Sequence, residues 1–248
     1  MPYACGARTD AGLVRPGNED HFVVLAERGI FIVADGMGGH AAGELASEMA
    51  VRITCDAMGS LLGLSDEEAC QRMRAAIQAA NDAIFQRTVA EWDKQGMGTT
   101  ATVLVLLDGR YVIGQVGDSR AYLLRDGQLV QLTRDHSYVQ ELVDAGLITP
   151  AQARTHRYSR AITRYIGEGR EVVPDIYCGP LAEGDLLLLA SDGLTEMVEE
   201  QQLVRILSSE GEPQRCVDSL IAEANARGGL DNITAVVVRR SPGCAAAR

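Results

Sequence analysis

The sequence predicts an α+β fold in which helices pack on mostly antiparallel sheets. Three observations lead there: β-like runs open and close the chain, helices stand in groups between the strand groups, and Asp-Gly turns join the central strands. The strict strand-helix-strand alternation of a parallel sheet is missing.

Taken in order, Tyr3 to Asp10, His21 to Ala26 and Gly29 to Ala34 read as short strands, the last running into Asp35-Gly36-Met37-Gly38-Gly39. Ala42, Leu45, Ala46, Met49 and Ile53 recur at spacings of three and four, as do Ala69, Met73, Ile77, Ala80 and Ile84, so two helices follow. Ser65 and Glu68 spell a capping box ahead of the second. Ala101 to Leu107, Tyr111 to Val116, Ala121 to Leu124 and Leu129 to Leu132 then read as one antiparallel meander, turning at Asp108-Gly109 and Asp126-Gly127. The stretch from Asp135 to Gly169 is polar and mixed, with a helix start at Thr149-Pro150 and no long apolar run, and is expected to be an exposed excursion. Leu186 to Ala190 is a strand, Glu200 to Ser208 and Pro213 to Ala226 are helical, and Ile233 to Val238 closes the fold. One domain over residues 1–240 is expected, with 241–248 as a frayed tail.

With 248 residues, 46% hydrophobic and 23% charged, the chain has the make-up of a globular protein. Its net charge of -11 repels polyanions, so nucleic acid and anionic membranes are not expected partners, while a cation site would suit the field. The six cysteines show neither a disulfide framework nor zinc-ligand spacing. The N-terminus carries no signal-peptide pattern, and no apolar run approaches the roughly 20 residues that span a bilayer. A soluble, cytoplasmic monomer is expected.

The main chemical signal is a set of aspartates at strand edges beside or near glycine: Asp35, Asp118, Asp192 and Asp231. An isolated Asp-Gly is more often a turn than a ligand. Asp35 and Asp192, however, end the two most apolar strands of the chain, where an unneutralised carboxylate is costly and no lysine stands nearby in sequence. Carboxylates gathered together raise one another's pKa unless divalent cations lie between them, and hard oxygen donors select magnesium or manganese. Two such ions about 3.5 to 4 Å apart can activate a water for in-line attack on phosphorus. A guanidinium suits the phosphate, and Arg15, close to Asn18-Glu19-Asp20, is the candidate.

The residues resemble the type 2C metal-dependent serine/threonine phosphatases, in their compact bacterial form. The likeness is carried by Thr9-Asp10-Ala11-Gly12 leading to Arg15 and Asn18-Glu19-Asp20, by Val33-Ala34-Asp35-Gly36-Met37-Gly38-Gly39-His40, and by Gly98-Thr99-Thr100-Ala101. Val116-Gly117-Asp118-Ser119-Arg120, Ser191-Asp192-Gly193-Leu194 and Asp231-Asn232-Ile233-Thr234 complete it, in order and over nearly the whole chain. The resemblance implies a four-layer α-β-β-α sandwich with metals in a cleft at one end of the sheets. By motif it implies that Asp35 bridges two Mn2+ or Mg2+ ions, that the Gly36 carbonyl serves one, and that Asp192 and Asp231 complete the other. It implies further that Asp20 holds a metal-bound water, that Asp118 with Asp192 holds a third, weaker ion, and that Arg15 grips the phosphate. Glu19 and Asn232 belong to the motifs as supporting residues. The expected activity is hydrolysis of phosphoserine and phosphothreonine on proteins, opposing a serine/threonine kinase.

Many eukaryotic relatives have a histidine directly after Asp-Gly as proposed general acid; Met37 stands there, and His40 follows three residues later. His40 or a metal-bound water is therefore the expected proton donor. The excursion from Asp135 to Gly169 matches the family's variable flap. Arg154, His156, Arg157, Arg160 and Arg164 give it a basic surplus that reads either as a phosphoprotein contact or as a solvated loop. A tyrosine-phosphatase reading fails because no cysteine is followed, after five residues, by arginine. Gly117-Asp118-Ser119 resembles an esterase motif, but no Asp-x-x-His accompanies it. An inactive phosphoprotein-binding regulator of the same fold is the alternative; such a member would normally have lost a metal aspartate, and all five are present.

Overall fold

The structure, a computed structural model, describes residues 3–39, 41–61, 63–209 and 211–240. Strands β1 (Tyr3–Asp10), β2 (Asp20–Leu25) and β3 (Ile30–Met37) are followed by helices α1 (Ala41–Met58) and α2 (Asp66–Ala90) and a 3-10 turn at Trp92–Lys94. Then come β4 (Gly98–Thr99), β5 (Ala101–Leu107), β6 (Arg110–Val116), β7 (Arg120–Arg125) and β8 (Gln128–Gln131). Short helices α3 (Tyr138–Asp144) and α4 (Pro150–Arg154) lead to β9 (Asp175–Pro180) and β10 (Leu186–Ala190). Helices α5 (Asp192–Thr195), α6 (Glu200–Ser209) and α7 (Pro213–Ala226) precede β11 (Ile233–Arg240).

The strands form two antiparallel sheets. One runs β1-β11-β10-β7-β8; the other runs β2-β3-β5-β6-β9, with β4 added on β3. Period-two alternation lets each central strand serve two cores. Phe31 and Val33 point between the sheets with Leu187, Leu189 and Val236, while Ile30, Ile32 and Ala34 face α1 and α2. On the far side, Leu186, Leu188 and Val237 face α6 and α7. The four layers α-β-β-α follow directly from that double-faced burial. The capping box of Ser65 and Glu68 starts α2 as its spelling predicts, and Thr149 caps α4.

Two expectations change. The central strands are not one meander: β5 and β6 pair in one sheet, β7 and β8 in the other, and the chain crosses between sheets at Gly117–Ser119. Gly117 makes the crossing with φ +100, its α-carbon pressed on the Thr100 side chain where a Cβ has no room. The segment expected to be an exposed excursion buries both its ends, at Asp135, His136, Ser137 and Val139 and again at Ile166. Backbone pairs Ser137 with Ile162 and Thr99 with Ile166, which supply the burial that composition alone does not show. Cys5, Cys55, Cys70 and Cys178 are free thiols, although Cys70 on α2 and Cys178 on β9 bring their sulfurs to 3.4 Å. The expected tail at 241–248 lies outside the described residues.

Candidate metal centre

The strand ends place the acids. Asp20 opens β2 directly across from Asp35 near the end of β3. Asp192 follows β10, Asp231 precedes β11, and Asp118 occupies the crossing between β6 and β7. Since β10 pairs with both β7 and β11, these ends lie at one edge of the sandwich.

Asp20 and Asp118 are buried, and Asp35 and Asp192 keep part of their surface at the opening. Desolvation raises all four. Asp20 is pushed up to about 6, and Asp118 to about 7 with Asp135 adding to the effect. Asp35 and Asp192 stand well above the ordinary carboxylate range, lifted by desolvation and then by the other aspartates of the group, with Glu196 adding to the effect at Asp192. One buried oxygen each of Asp20, Asp118 and Asp192, the Oδ1 atom in every case, has no hydrogen-bond partner. Such atoms are costly to leave unsatisfied.

The remaining oxygens are held with care. Asp20 Oδ2 accepts from Ser191 Oγ at 2.8 Å and from Thr234 Oγ1 at 2.6 Å. Because Thr234 donates there, it accepts from Thr9 Oγ1 at 2.7 Å, and Thr9 in turn accepts from Asn18 Nδ2 at 2.8 Å. Asn232 ties the loops together: its Oδ1 accepts from Glu19 N at 2.8 Å, and its Nδ2 donates to Gly17 O at 2.8 Å and Ala11 O at 3.0 Å. Gly36 N donates to Glu19 O at 3.1 Å, and a Cβ on Gly36 would collide with the Gly43 carbonyl at the start of α1. A side chain on Gly43 would likewise strike the Glu19 carboxylate.

Arg15 donates to Asp231 Oδ2 at 2.7 Å, and Arg160 reaches the same oxygen at 3.5 Å and Glu196 at 3.2 Å. These pairs turn Asp231 toward the arginines, and among the described residues no three acidic, histidine or cysteine side chains close on a single point. The orphaned oxygens and the all-oxygen donor set nevertheless fit hard divalent cations.

Comparison with known proteins agrees with this reading. Residues 17–218 match the family described as protein phosphatase 2C. The chain is 42% identical to the serine/threonine phosphatase stp of Listeria monocytogenes over 237 residues, covering 94% of each. It is similar to the crystal structure of the Mycobacterium tuberculosis serine/threonine phosphatase PstP/Ppp, with TM-score 0.91, 38% identity, and coverage of 97% of this chain and 100% of that one. The chain belongs to the protein phosphatase 2C family. A second similar structure, the catalytic domain of PstP in complex with two manganese ions, has TM-score 0.86 at 38% identity and covers 96% of this chain and 97% of that one.

Within this phosphatase 2C fold, the structure brings Asp20, Asp35, Gly36, Asp118, Asp192, Asp231, Glu19, Asn232 and Arg15 to one end of the sheets. His40 lies outside the described residues. The site also contains residues that sequence reading did not single out individually: Ser191 and Thr234 as partners of Asp20, and Thr100, whose hydroxyl bonds Ser119 Oγ at 2.8 Å and accepts from Asp35 N at 2.9 Å. Their only sequence signal was membership of the motif strings. The flap's basic surplus is mostly committed inside the molecule. Arg154 donates to Thr195 O and Arg164 to Val173 O and Asp175, while Arg157 lies 4.5 Å from the Tyr158 ring centroid.

Proposed function

We propose that this chain hydrolyses phosphoserine and phosphothreonine on proteins with the help of Mn2+ or Mg2+. The observation that carries the reading is the group of buried aspartates with unpartnered oxygens at one end of the sandwich, in a member of the phosphatase 2C family. Asp35, the Gly36 carbonyl, Asp192 and Asp231 would hold two ions, and Asp118 with Asp192 a third. When bound, the cations neutralise the carboxylates and supply an activated water as nucleophile.

The chain's own residues do the rest. Asp20, fixed by Ser191 and Thr234, orients the attacking water through a hydrogen bond. Arg15 leaves Asp231 for the phosphate, whose two oxygens match its fork of donors. Asn232 keeps the Gly17–Glu19 backbone, and so Asp20, in register with the start of β11. Phosphoserine and phosphothreonine arise from kinase action, so the partners are phosphoproteins and the enzyme opposes a serine/threonine kinase. No helix among the described residues is long and apolar enough to cross a membrane; action on phosphoproteins in the cytoplasm is part of the proposal.

The test is phosphate release from a phosphothreonine peptide with Mn2+, with Mg2+ and with chelator, using Asp192→Asn as control. Metal-dependent release that disappears in the variant supports the enzyme. A folded protein inert with every metal would make it a phosphoprotein-binding regulator instead. The leaving-group proton is addressed by His40→Ala: an unchanged basic limb of the pH profile assigns that proton to water rather than to His40.

A further inference from the structure

His136 lies in the buried start of the flap segment, 3% exposed, and takes no part in the chemistry above. It grips the crossing at both of its backbone groups. Its Nδ1 accepts from Gly117 N at 3.1 Å, and its own amide donates to Gly117 O at 2.9 Å. Nδ1 as acceptor puts the ring proton on Nε2, which donates to Asp175 Oδ2 at 3.1 Å. The other Asp175 oxygen accepts from Arg164 at 2.8 Å. Arg164 also lies 3.0 Å from Nε2, a contact rather than a hydrogen bond once Nε2 carries the proton. Burial and this neighbouring guanidinium hold His136 below its ordinary pKa, so the ring stays neutral with one tautomer fixed.

The crossing is therefore clamped on two sides. Thr100 presses on Gly117, and Ser119 bonds Thr100 through its hydroxyl and accepts at its carbonyl from Thr102 and Gln115. Between these anchors stands Asp118, buried, with an unpartnered oxygen. Its direction depends on the backbone to which it is attached, and His136 holds that backbone. The same histidine accepts at its carbonyl from Thr163 N at 2.8 Å, on the returning arm of the flap.

We propose that His136, oriented by Asp175, is a positioning residue that aims Asp118 and thereby sets the affinity of the weakest cation in the centre. This rests on the metallophosphatase reading above. Loss of a residue one step removed from a metal ligand costs about 10- to 100-fold in affinity, and an ordinary buried, satisfied histidine would cost stability without singling out one cation.

The test is Mn2+ binding to the full chain, counted by calorimetry at fixed pH, with thermal unfolding in chelator reporting the fold. His136→Ala is expected to weaken the weakest site about tenfold and leave the tighter sites within about twofold. His136→Asn, whose side-chain oxygen can still accept from Gly117 N, should recover most of that loss. In an Asp118→Asn background, His136→Ala should add nothing, because the two residues act through one ligand. Equal affinities in wild type and folded His136→Ala, or a parallel loss at every site, would overturn the inference. If His136→Ala does not fold, His136→Asn and Asp175→Asn carry the comparison, the latter expected to weaken the weakest site several-fold. A wild-type chain that binds no Mn2+ would instead bring down the metallophosphatase reading itself.

Discussion

Strand β10 has an aspartate beyond each end, and the fold treats the two in opposite ways. Asp185, just before Leu186, is 2% exposed and fully answered: Arg125 donates to its two oxygens at 2.8 and 2.6 Å, and Ala182 N donates at 2.6 Å. Asp192, shortly after Ala190, has a buried Oδ1 with no partner and like charges around it. An arginine stands at that end of the strand pair too. Arg120 pairs across from Ala190 as Leu124, next to Arg125, pairs across from Leu186, yet Arg120 is committed to Asp135 at 2.7 to 3.0 Å. The same strand pair thus answers Asp185 with an arginine at one end and leaves an Asp192 oxygen unanswered at the other, as the proposed cation site requires.

The largest effect should come from Asp192→Asn. Mn2+-dependent phosphate release is expected to fall at least about 100-fold, while thermal stability in chelator rises by about 1 kcal/mol because one repelling carboxylate is gone. Opposite signs for activity and metal-free stability are the mark of a carboxylate kept for a cation. A drop in both would make Asp192 an ordinary structural residue.

At the other end, Arg125→Met should do the reverse. It leaves buried Asp185 without its counter-ion and is expected to cost about 2 kcal/mol, at the low side for a broken buried pair because the arginine is 38% exposed. Turnover per folded molecule should not change. Urea unfolding and a phosphatase assay on the same samples check both statements, and a loss of turnover would show that the two ends of β10 are not independent.

How much of this contrast is legible in the sequence depends on how local its causes are. Asp35 and Asp192 could be read because their cost is local, each ending an apolar strand. The partners could not, because folding brings them from afar. Ser191 and Thr234 lie 171 and 214 residues from Asp20, and Arg125 lies 60 from Asp185. The strands β5, β10 and β11 announced themselves by composition, whereas the edge strand β9, Asp-Ile-Tyr-Cys-Gly-Pro, did not. The change of sheet at Gly117 was hidden for a related reason. Alternation along a strand shows which face is buried but not which sheet the next strand joins.

The metal-free chain should also lose stability as pH rises. In chelator, Asp20 near 6 and Asp118 near 7 stay protonated in the folded chain at pH values where an ordinary aspartate, near 3.8, has lost its proton. Their contribution to stability is therefore complete below about pH 4 and disappears as pH rises through 6 and 7. The melting temperature in chelator should fall between about pH 4 and 7, with a loss of stability on the order of a few kcal/mol. Protection by Mn2+ should grow over the same window, since cations bind the ionised form and displace protons. Asp118→Asn should flatten the slope, and an equally steep slope in that variant would remove Asp118 from the explanation.

The smallest expected effect tests how far the preparation of the metal end extends. Asn18, Thr9, Thr234 and Asp20 form a directional relay in which each group donates to the next, ending on the oxygen of Asp20 that is not orphaned. Thr9→Val keeps the shape and removes one link, so Thr234 still donates to Asp20 but is no longer polarised from behind. Less than about 1 kcal/mol of stability should be lost. The more telling change is a slightly higher pKa for Asp20, because a weaker donor stabilises its charged form less. That moves the pH at which Mn2+ begins to protect upward by a fraction of a unit. If stability falls and this pH does not move, Thr9 only packs β1 against β11 and the relay stops at Thr234. If the pH moves with little loss of stability, preparation of the carboxylate for its cation reaches back to the first strand, far beyond anything built around Asp185.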